Sequence, residues 1–214
     1  CKLLLIFFVK KKKKKNFKGP LLLRFPHITE KEINTLYNTF NASIKEYDYK
    51  GSFNAVFPLK VNQLPNFIHP LINEGKKFNY GLEAGSKAEL VIAMTYNNIN
   101  SPITVNGFKD KEMIHLGFIA KSMGHDITLI IEGLNELEMI IEVLNETKME
   151  APSIGLRVRL HSGGSGLWAK SGGINSKFGL TSTEILEAYE LMEDNNIVKY
   201  LTMIHFHIGS AMNS

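Results

Sequence analysis

The sequence predicts an α/β protein built on a parallel sheet, and two features of the chain carry this prediction. Short apolar runs of strand length recur at a regular spacing, and stretches with helical spacing of apolar residues lie between them. The runs are nearly continuous, as in parallel strands that are covered by helices. This period fits most of an eight-stranded (β/α) barrel or all of a doubly wound sheet, so both architectures stay open at this point.

The predicted elements follow one another in order after Gly19-Pro20. A short strand is predicted at Leu21 to Phe25, and a capping box of Thr29 and Glu32 predicts a helix behind it. Six further strands are predicted near residues 53–59, 78–82, 103–105, 127–131, 154–160 and 201–208. Helices are predicted at residues 84–96, at 134–144 and, from a second capping box of Thr181 and Glu184, at 181–192.

Composition and charge exclude several classes of protein. With 214 residues, 44% of them hydrophobic and 21% charged, the chain is expected to bury a sizeable core and is unlike a disordered sequence. The net charge of +4 depends on residues 1–15, which hold Lys2 and the run Lys10 to Lys15 and no acidic residue. The remainder carries more acidic than basic residues, so the charge gives no reason to expect a nucleic-acid partner.

The N-terminal segment indicates neither a membrane anchor nor a secretion signal. Its apolar part, Leu3 to Val9, is far shorter than the ~20 residues that span a bilayer, and the lysines follow it instead of preceding it. Cys1 is the single cysteine, which leaves no intrachain disulfide and favours a reducing, cytoplasmic location. We expect a leader at residues 1–18 that is non-native or disordered, a strand and helix at 19–50, and the repeated units at 51–214.

Lys60 is the first candidate for chemistry, because it follows a predicted strand in the stretch Phe57-Pro-Leu-Lys60. Apolar strand ends disfavour the ammonium form of a lysine, and the neutral amine can form a Schiff base with an aldehyde. Taken alone, a lysine at a strand end is more often a solvated surface residue.

His205 and His207 are the second candidate. They alternate along the last predicted strand, so both imidazoles point to the same face. Such a pair can begin a metal site, but no carboxylate follows nearby, and histidines satisfied inside a core are the more common case.

Two segments rich in Gly and Ser are candidates for phosphate binding. The loop at His161 to Gly173 is close to a P-loop but lacks its second glycine and the helix that should follow, so a plain surface loop is favoured. Gly209 and Ser210 offer backbone N–H groups and a hydroxyl after the last strand, although an ordinary turn has the same sequence.

Taken in order, five segments resemble the alanine-racemase-like (fold type III) pyridoxal-phosphate decarboxylases. They are Phe57-Pro-Leu-Lys-Val-Asn-Gln63, Gly81-Leu-Glu-Ala-Gly-Ser-Lys-Ala-Glu-Leu90, Asn106-Gly-Phe-Lys-Asp110, Ser176-Lys-Phe-Gly-Leu180 and His205-Phe-His-Ile-Gly-Ser210. The resemblance covers about residues 19–214 and implies an incomplete (β/α)8 barrel with six of its eight strands. The strand at Leu21 to Phe25 would belong to a companion β domain.

The resemblance also implies roles for individual residues. Lys60 would bind the aldehyde of pyridoxal 5′-phosphate, His207 would stack on its ring, and Ser210 would bind its phosphate. Arg157 matches an arginine at a strand end of the cofactor pocket, and Glu83 matches an acidic pocket residue at the end of the second strand. With six of eight strands, the chain is expected to be inactive alone.

Within the family, the resemblance is strongest to the arginine decarboxylases. It lies in Gln63, in the stretch Glu83 to Lys87 and in the Gly-Ser-Gly-x-Trp loop at residues 164–168, a combination that ornithine and diaminopimelate decarboxylases lack. It implies conversion of L-arginine to agmatine and CO₂ for polyamine biosynthesis, in a homodimer or higher homo-oligomer. A magnesium requirement is implied by the resemblance only, since the sequence shows no dedicated metal site. Three alternatives stay open: an ornithine- or diaminopimelate-type decarboxylase, a metal-dependent barrel hydrolase that uses His205 and His207, and a non-catalytic carrier of the cofactor.

Overall fold

One parallel sheet and the helices that cover it make up most of the chain. The structure, a computed structural model, describes residues 2–16, 19, 22–160 and 178–208, without the side chains of residues 2–5 and 13. The strands are β1 (Val56–Pro58), β2 (Gly81–Ala84), β3 (Ile103–Val105), β4 (Ile127–Ile131), β5 (Ser153–Arg157) and β6 (Leu201–His205). The helices are α1 (Lys2–Lys14), α2 (Pro26–Glu46), α3 (Pro65–Gly75), α4 (Lys87–Tyr96), α5 (Lys111–Ser122), α6 (Leu134–Thr147) and α7 (Ser182–Asp194). Short 3-10 turns lie at Leu59–Val61, Lys76–Phe78 and Val198–Tyr200.

The strand order distinguishes between the two predicted architectures. Within the described residues, β1 to β6 lie side by side in their order along the chain, and each neighbouring pair is parallel. A doubly wound sheet reverses its strand order at one point, whereas a barrel continues in one direction. The barrel prediction is confirmed, with six strands among the described residues.

The two faces of the sheet differ in polarity. Leu82, Ile103 and Leu129 are fully buried on the face that α4, α5 and α6 cover. Burial of such a side chain contributes roughly 1.5–3 kcal/mol to stability. On the opposite face the register aligns Glu83 with Thr104 and Thr104 with Thr128, so polar groups of β2 to β4 face the interior of the barrel. Apolar Ile130 lies on this face as well.

The N-terminal strand predicted at Leu21 to Phe25 is wrong in its described part, since residues 22–25 have no regular secondary structure. A strand needs a neighbour for its backbone groups, and none of the described strands pairs with this segment. The capping box predicted from Thr29 and Glu32 is also wrong. Helix α2 begins at Pro26, whose missing N–H costs nothing in the first turn, and no side chain caps it.

The second predicted capping box forms at the start of α7. The backbone N–H of Glu184 donates to Thr181 Oγ1 at 3.3 Å, and the backbone N–H of Thr181 donates to Glu184 Oε2 at 2.7 Å. These bonds satisfy backbone donors that a helix start otherwise leaves unpaired. Along the chain, helix α7 lies between β5 and β6, as expected for the helix that connects two parallel strands of a barrel.

Residues 2–14, part of the predicted leader, form helix α1. The ring of Phe8 in this helix lies edge-on to Phe25 at a centroid distance of 5.8 Å. That the leader is non-native stays a prediction. Among the described residues, no helix combines the length and the apolar character needed to cross a bilayer.

Candidate active site

A cavity of about 640 Å³ opens at the carboxyl ends of the parallel strands. This is the edge at which (β/α) barrels bind their ligands, and the volume lies within the roughly 300–1,000 Å³ of small-molecule sites. Strand ends and the residues that follow them provide its polar wall: Lys60, Glu83, Asn106, Glu132, Arg157, His205 and His207.

The structure brings together most of the residues that the sequence singles out. Lys60, Glu83, Arg157 and His207 all line this one cavity, and His205 lines it as well. Ser210 and the loop from His161 to Gly173 lie outside the described residues.

Lys60 lies in the 3-10 turn that directly follows β1. Leu59 is fully buried and anchors this turn, while the side chain of Lys60 is exposed at the cavity. Gln63 Nε2 donates to Glu89 Oε1 at 3.0 Å, and the backbone N–H of Gly85 donates to Glu89 Oε2 at 2.7 Å. The turn is thereby tied to the end of β2. The amine of Lys60 is accessible to a ligand.

Asn106, directly after β3, is the centre of a hydrogen-bonded group. Its Nδ2 lies 3.3 Å from His205 Nε2 and 3.5 Å from Glu83 Oε2, and its Oδ1 accepts from Arg157 Nη1 at 3.5 Å. An amide NH₂ can only donate, so the first contact requires His205 Nε2 to be an acceptor. The carboxamide links side chains from β2, β5 and β6.

His205 is half-buried inside the barrel. Burial lowers its pKa, its interactions with Arg157, His207 and Lys109 act in the same direction, and Glu132 opposes them. Its buried Nδ1 has no hydrogen-bond partner among the described residues. The lowered pKa favours the neutral imidazole of His205, which contacts Asn106, whereas His207 is exposed at the cavity mouth.

Arg157 is oriented by an ion pair with Glu132. Arg157 Nη1 lies 3.0 Å from Glu132 Oε1, and the guanidinium carbon lies 5.2 Å from the centre of the Phe178 ring. Glu132 Oε1 also accepts from the backbone N–H of Gly107 at 2.7 Å. Gly107 has a φ of 80°, a conformation that favours glycine, so the residue type fits this close contact.

Sequence reasoning missed Asn106 and Glu132 as site residues. Each comes immediately after a buried strand, at the edge of the sheet where a barrel places its reactive groups. A polar residue directly after a predicted buried strand is therefore the sequence feature that would have identified both residues.

Within the described residues, no group of three or more His, Cys, Asp or Glu side chains is arranged to hold a metal ion. The magnesium that the resemblance implies therefore has no ligand cluster in that part of the chain.

The family model described as "Pyridoxal-dependent decarboxylase, pyridoxal binding domain" matches residues 31–214. The chain belongs to this family. Membership favours the decarboxylase interpretation of the cavity over the metal-dependent hydrolase.

Known members of the pyridoxal-dependent decarboxylases are similar over nearly the whole chain. The solved biosynthetic arginine decarboxylase of Campylobacter jejuni is 57% identical with a TM-score of 0.86, covering 96% of this chain and 32% of that one. The biosynthetic arginine decarboxylase of Bacteroides thetaiotaomicron is 43% identical over 199 residues, 92% of this chain. The chain spans about 31% of the length of this relative. A diaminopimelate decarboxylase from M. jannaschi, with a TM-score of 0.65 and 24% identity, shares the fold.

Proposed function

We propose that this chain forms the cofactor-binding part of an arginine decarboxylase that uses pyridoxal 5′-phosphate. The observation that carries the proposal is the convergence of Lys60, Glu83, Arg157 and His207 on one cavity at the strand ends. These residues come from four different strands or their extensions. Lys60, Glu83 and His207 belong to segments that resemble the family, and Arg157 matches an arginine at a strand end of its cofactor pocket.

The groups around the cavity fit the chemistry of this cofactor. Lys60 offers an exposed primary amine, which is the group that binds an aldehyde. Glu83, Asn106 and Arg157 offer hydrogen-bonding groups from the barrel wall, and the cavity has the volume of a small-molecule site. Ser210, outside the described residues, is the proposed phosphate ligand.

The residues of this chain would hold and orient the cofactor. Lys60 would hold its aldehyde carbon and release it to the amino group of the substrate, and His207 would pack on one face of the ring. Arg157, fixed by Glu132, would keep a positive charge at the wall. When bound, the cofactor supplies the electron sink that stabilises the carbanion left by loss of CO₂. A ring held in one orientation lets the breaking bond stand perpendicular to it.

The substrate is inferred from the relatives. Both the C. jejuni structure and the B. thetaiotaomicron protein are named biosynthetic arginine decarboxylases. This supports L-arginine as the substrate and agmatine and CO₂ as the products, a step of polyamine biosynthesis.

The test uses the complete gene product with added pyridoxal 5′-phosphate. We expect the visible absorption band of lysine-bound cofactor, and CO₂ release from L-arginine well above release from L-ornithine, L-lysine or diaminopimelate. Lys60→Ala should abolish both the band and CO₂ release. Lys45→Ala, an exposed lysine on α2 that does not line the cavity, is the matched control and should retain both. A normal band in Lys60→Ala, or faster release from ornithine, would overturn the proposal.

A homodimer or higher homo-oligomer and a cytoplasmic location complete the proposal. The family resemblance supports the assembly, and the single cysteine supports a reducing compartment. Light scattering of the purified holoenzyme measures the assembly, and a monomer that is fully active would contradict it.

A further inference from the structure

Lys109 and Glu136 form an ion pair behind the cavity wall. Lys109 Nζ lies 3.0 Å from Glu136 Oε2, and the two side chains are 0% and 2% exposed. Neither residue lines the cavity. Removing two charges from water is costly, and an apolar pair often serves stability as well. Stability alone therefore does not explain why two charged residues are buried at this position.

The pair connects two of the loops that form the site. Besides Lys109 Nζ, the carboxylate of Glu136 accepts from the backbone N–H of Lys109 at 2.8 Å and from that of Glu132 at 2.8 Å. Lys109 Nζ also donates to the carbonyl oxygen of Gly107 at 2.6 Å. Two of these bonds, from the backbone N–H and Nζ of Lys109 to Glu136, join the segment after β3 to the segment after β4. The other two fix the pair within its own segments, to Gly107 after β3 and to Glu132 after β4.

These loops carry the groups that orient Arg157. The backbone N–H of Gly107 donates to Glu132 Oε1 at 2.7 Å, and the same oxygen lies 3.0 Å from Arg157 Nη1. A chain of contacts therefore runs from the buried pair through Glu132 to the guanidinium at the cavity.

We infer that Lys109 and Glu136 are positioning residues of the cofactor site, which hold Glu132 where it orients Arg157 toward the bound cofactor. The inference rests on the proposed function. It assigns a task to two buried charged residues that touch neither the cavity nor the reacting atoms.

The pair adds one cation and one anion to this region, so the loss of either member alone would leave the charges unbalanced. Two cations, Lys109 and Arg157, face two anions, Glu132 and Glu136. Burial lowers the pKa of Lys109, the carboxylate of Glu136 opposes this shift, and the positive charge of Arg157 adds to it. Removal of Lys109 would leave an excess negative charge that competes with Glu132 for Arg157.

A double-mutant cycle on the dissociation constant of pyridoxal 5′-phosphate tests the inference, with the complete gene product and the visible band as readout. Lys109→Met and Glu136→Gln should each weaken cofactor binding by roughly tenfold to hundredfold, since they displace Arg157. In an Arg157→Met background the same changes should have an effect of less than about twofold, because the group they position is gone.

The matched control is Lys111→Met, which removes a lysine whose partners, Glu142 and Glu146, are exposed on α6. It should leave the dissociation constant unchanged in both backgrounds. If Lys109→Met does not accumulate as folded protein, Glu136→Gln carries the test, because it keeps the shape of the side chain.

The outcomes separate this inference from the proposed function. An equal loss of affinity in both backgrounds would mean a structural role alone and would overturn the inference. An unchanged dissociation constant in Lys109→Met and Glu136→Gln, with binding that still depends on Lys60, would also overturn it and leave the proposed function intact. Binding that does not depend on Lys60 would overturn the proposed function itself.

Discussion

Arg157 and Glu132 form an ion pair of 3.0 Å across the carboxyl ends of β5 and β4. Both residues line the cavity, but the side chain of Glu132 is fully buried and that of Arg157 is 14% exposed, so the cation is the more accessible of the two. A negative ligand at the cavity would therefore meet the guanidinium before it meets the carboxylate. The planar guanidinium, held by Glu132 on one side and lying over the ring of Phe178, has little freedom to turn.

Glu132→Ala is expected to lower the free energy of unfolding by about 3 kcal/mol, because it removes the carboxylate that neutralises Arg157 and leaves Arg157 and the backbone N–H of Gly107 with only the amide oxygen of Asn106. Glu132→Gln should have a smaller effect, since an amide oxygen still accepts from both donors. Urea unfolding followed by circular dichroism measures the difference. Glu146→Ala, which removes an exposed partner of Lys111, should leave stability nearly unchanged. Equal losses in Glu132→Ala and Glu146→Ala would contradict the role of the buried pair.

Strand positions could be predicted from the sequence where the apolar run is buried on both sides. β3 and β4 form at the predicted residues, 103–105 and 127–131. β2 begins at Gly81 and not at Phe78, because Phe78 lies in a 3-10 turn and its ring stacks on Tyr37 of α2 at 4.3 Å. An aromatic residue that packs on a helix has the same sequence pattern as one in a strand.

The candidate site could be predicted only in part, because a local sequence pattern does not show which distant residues the fold brings together. Lys60 and His207 occur in recognisable local motifs at strand ends, so the sequence identifies them. Lys109 and Glu136 are 27 residues apart, and each charge alone is typical of a solvated surface. Their pairing depends on two loops that only the folded barrel brings together.

His207→Ala is expected to weaken retention of pyridoxal 5′-phosphate more than His205→Ala does. His207 is exposed at the cavity and free to pack on a ring, whereas His205 is half-buried and contacts Asn106 at 3.3 Å. His205→Ala should instead lower the thermal stability more than His207→Ala. Cofactor loss on gel filtration and thermal unfolding measure the two effects. If the two variants lose cofactor equally, the assignment of His207 to the ring is wrong.

Gln63→Ala is expected to slow attachment of the cofactor to Lys60 while changing stability little. Gln63 is exposed, but its amide ties the Lys60 turn to Glu89 at 3.0 Å, so its loss should loosen that turn without opening the core. Stopped-flow absorbance of the apoenzyme mixed with cofactor measures the rate. Gln63→Glu is a useful second variant, because it places a carboxylate against that of Glu89 and should be slower still. A normal rate in both variants would show that this hydrogen bond does not position Lys60.

Gly81→Ala is expected to destabilise the fold by about 3 kcal/mol or more. A methyl group at Gly81, the first residue of β2, would overlap the backbone carbonyl oxygen of Pro102 beside β3, and backbone there cannot move without disturbing the sheet. Gly133→Ala is the control, since its methyl group would approach only the side-chain oxygen of Asn135, at 2.9 Å, which can rotate away. Chemical unfolding of both variants decides the matter. A similar loss of unfolding free energy in both variants would contradict the close contact between Gly81 and the carbonyl oxygen of Pro102.

The stability of the protein is expected to fall as the pH drops below the ordinary histidine pKa of 6.5, in part because of His205. Burial lowers the pKa of His205, so in this pH range the unfolded state binds a proton more readily than the folded state does. The contribution of His205 is therefore complete above pH 6.5 and is lost as the pH falls toward the lower folded pKa.

His205→Gln should accordingly flatten the decline of unfolding free energy below pH 6.5, because glutamine has no proton to take up. His125 is also buried and burial lowers its pKa, so His125→Gln should flatten the curve by a separate amount and the double variant should have the shallowest slope. Urea unfolding across the pH series measures the slopes, and the imidazole proton shifts in NMR spectra follow each histidine directly. A slope in His205→Gln identical to that of the unsubstituted protein would contradict the depressed pKa, and with it the neutral imidazole that accepts from Asn106.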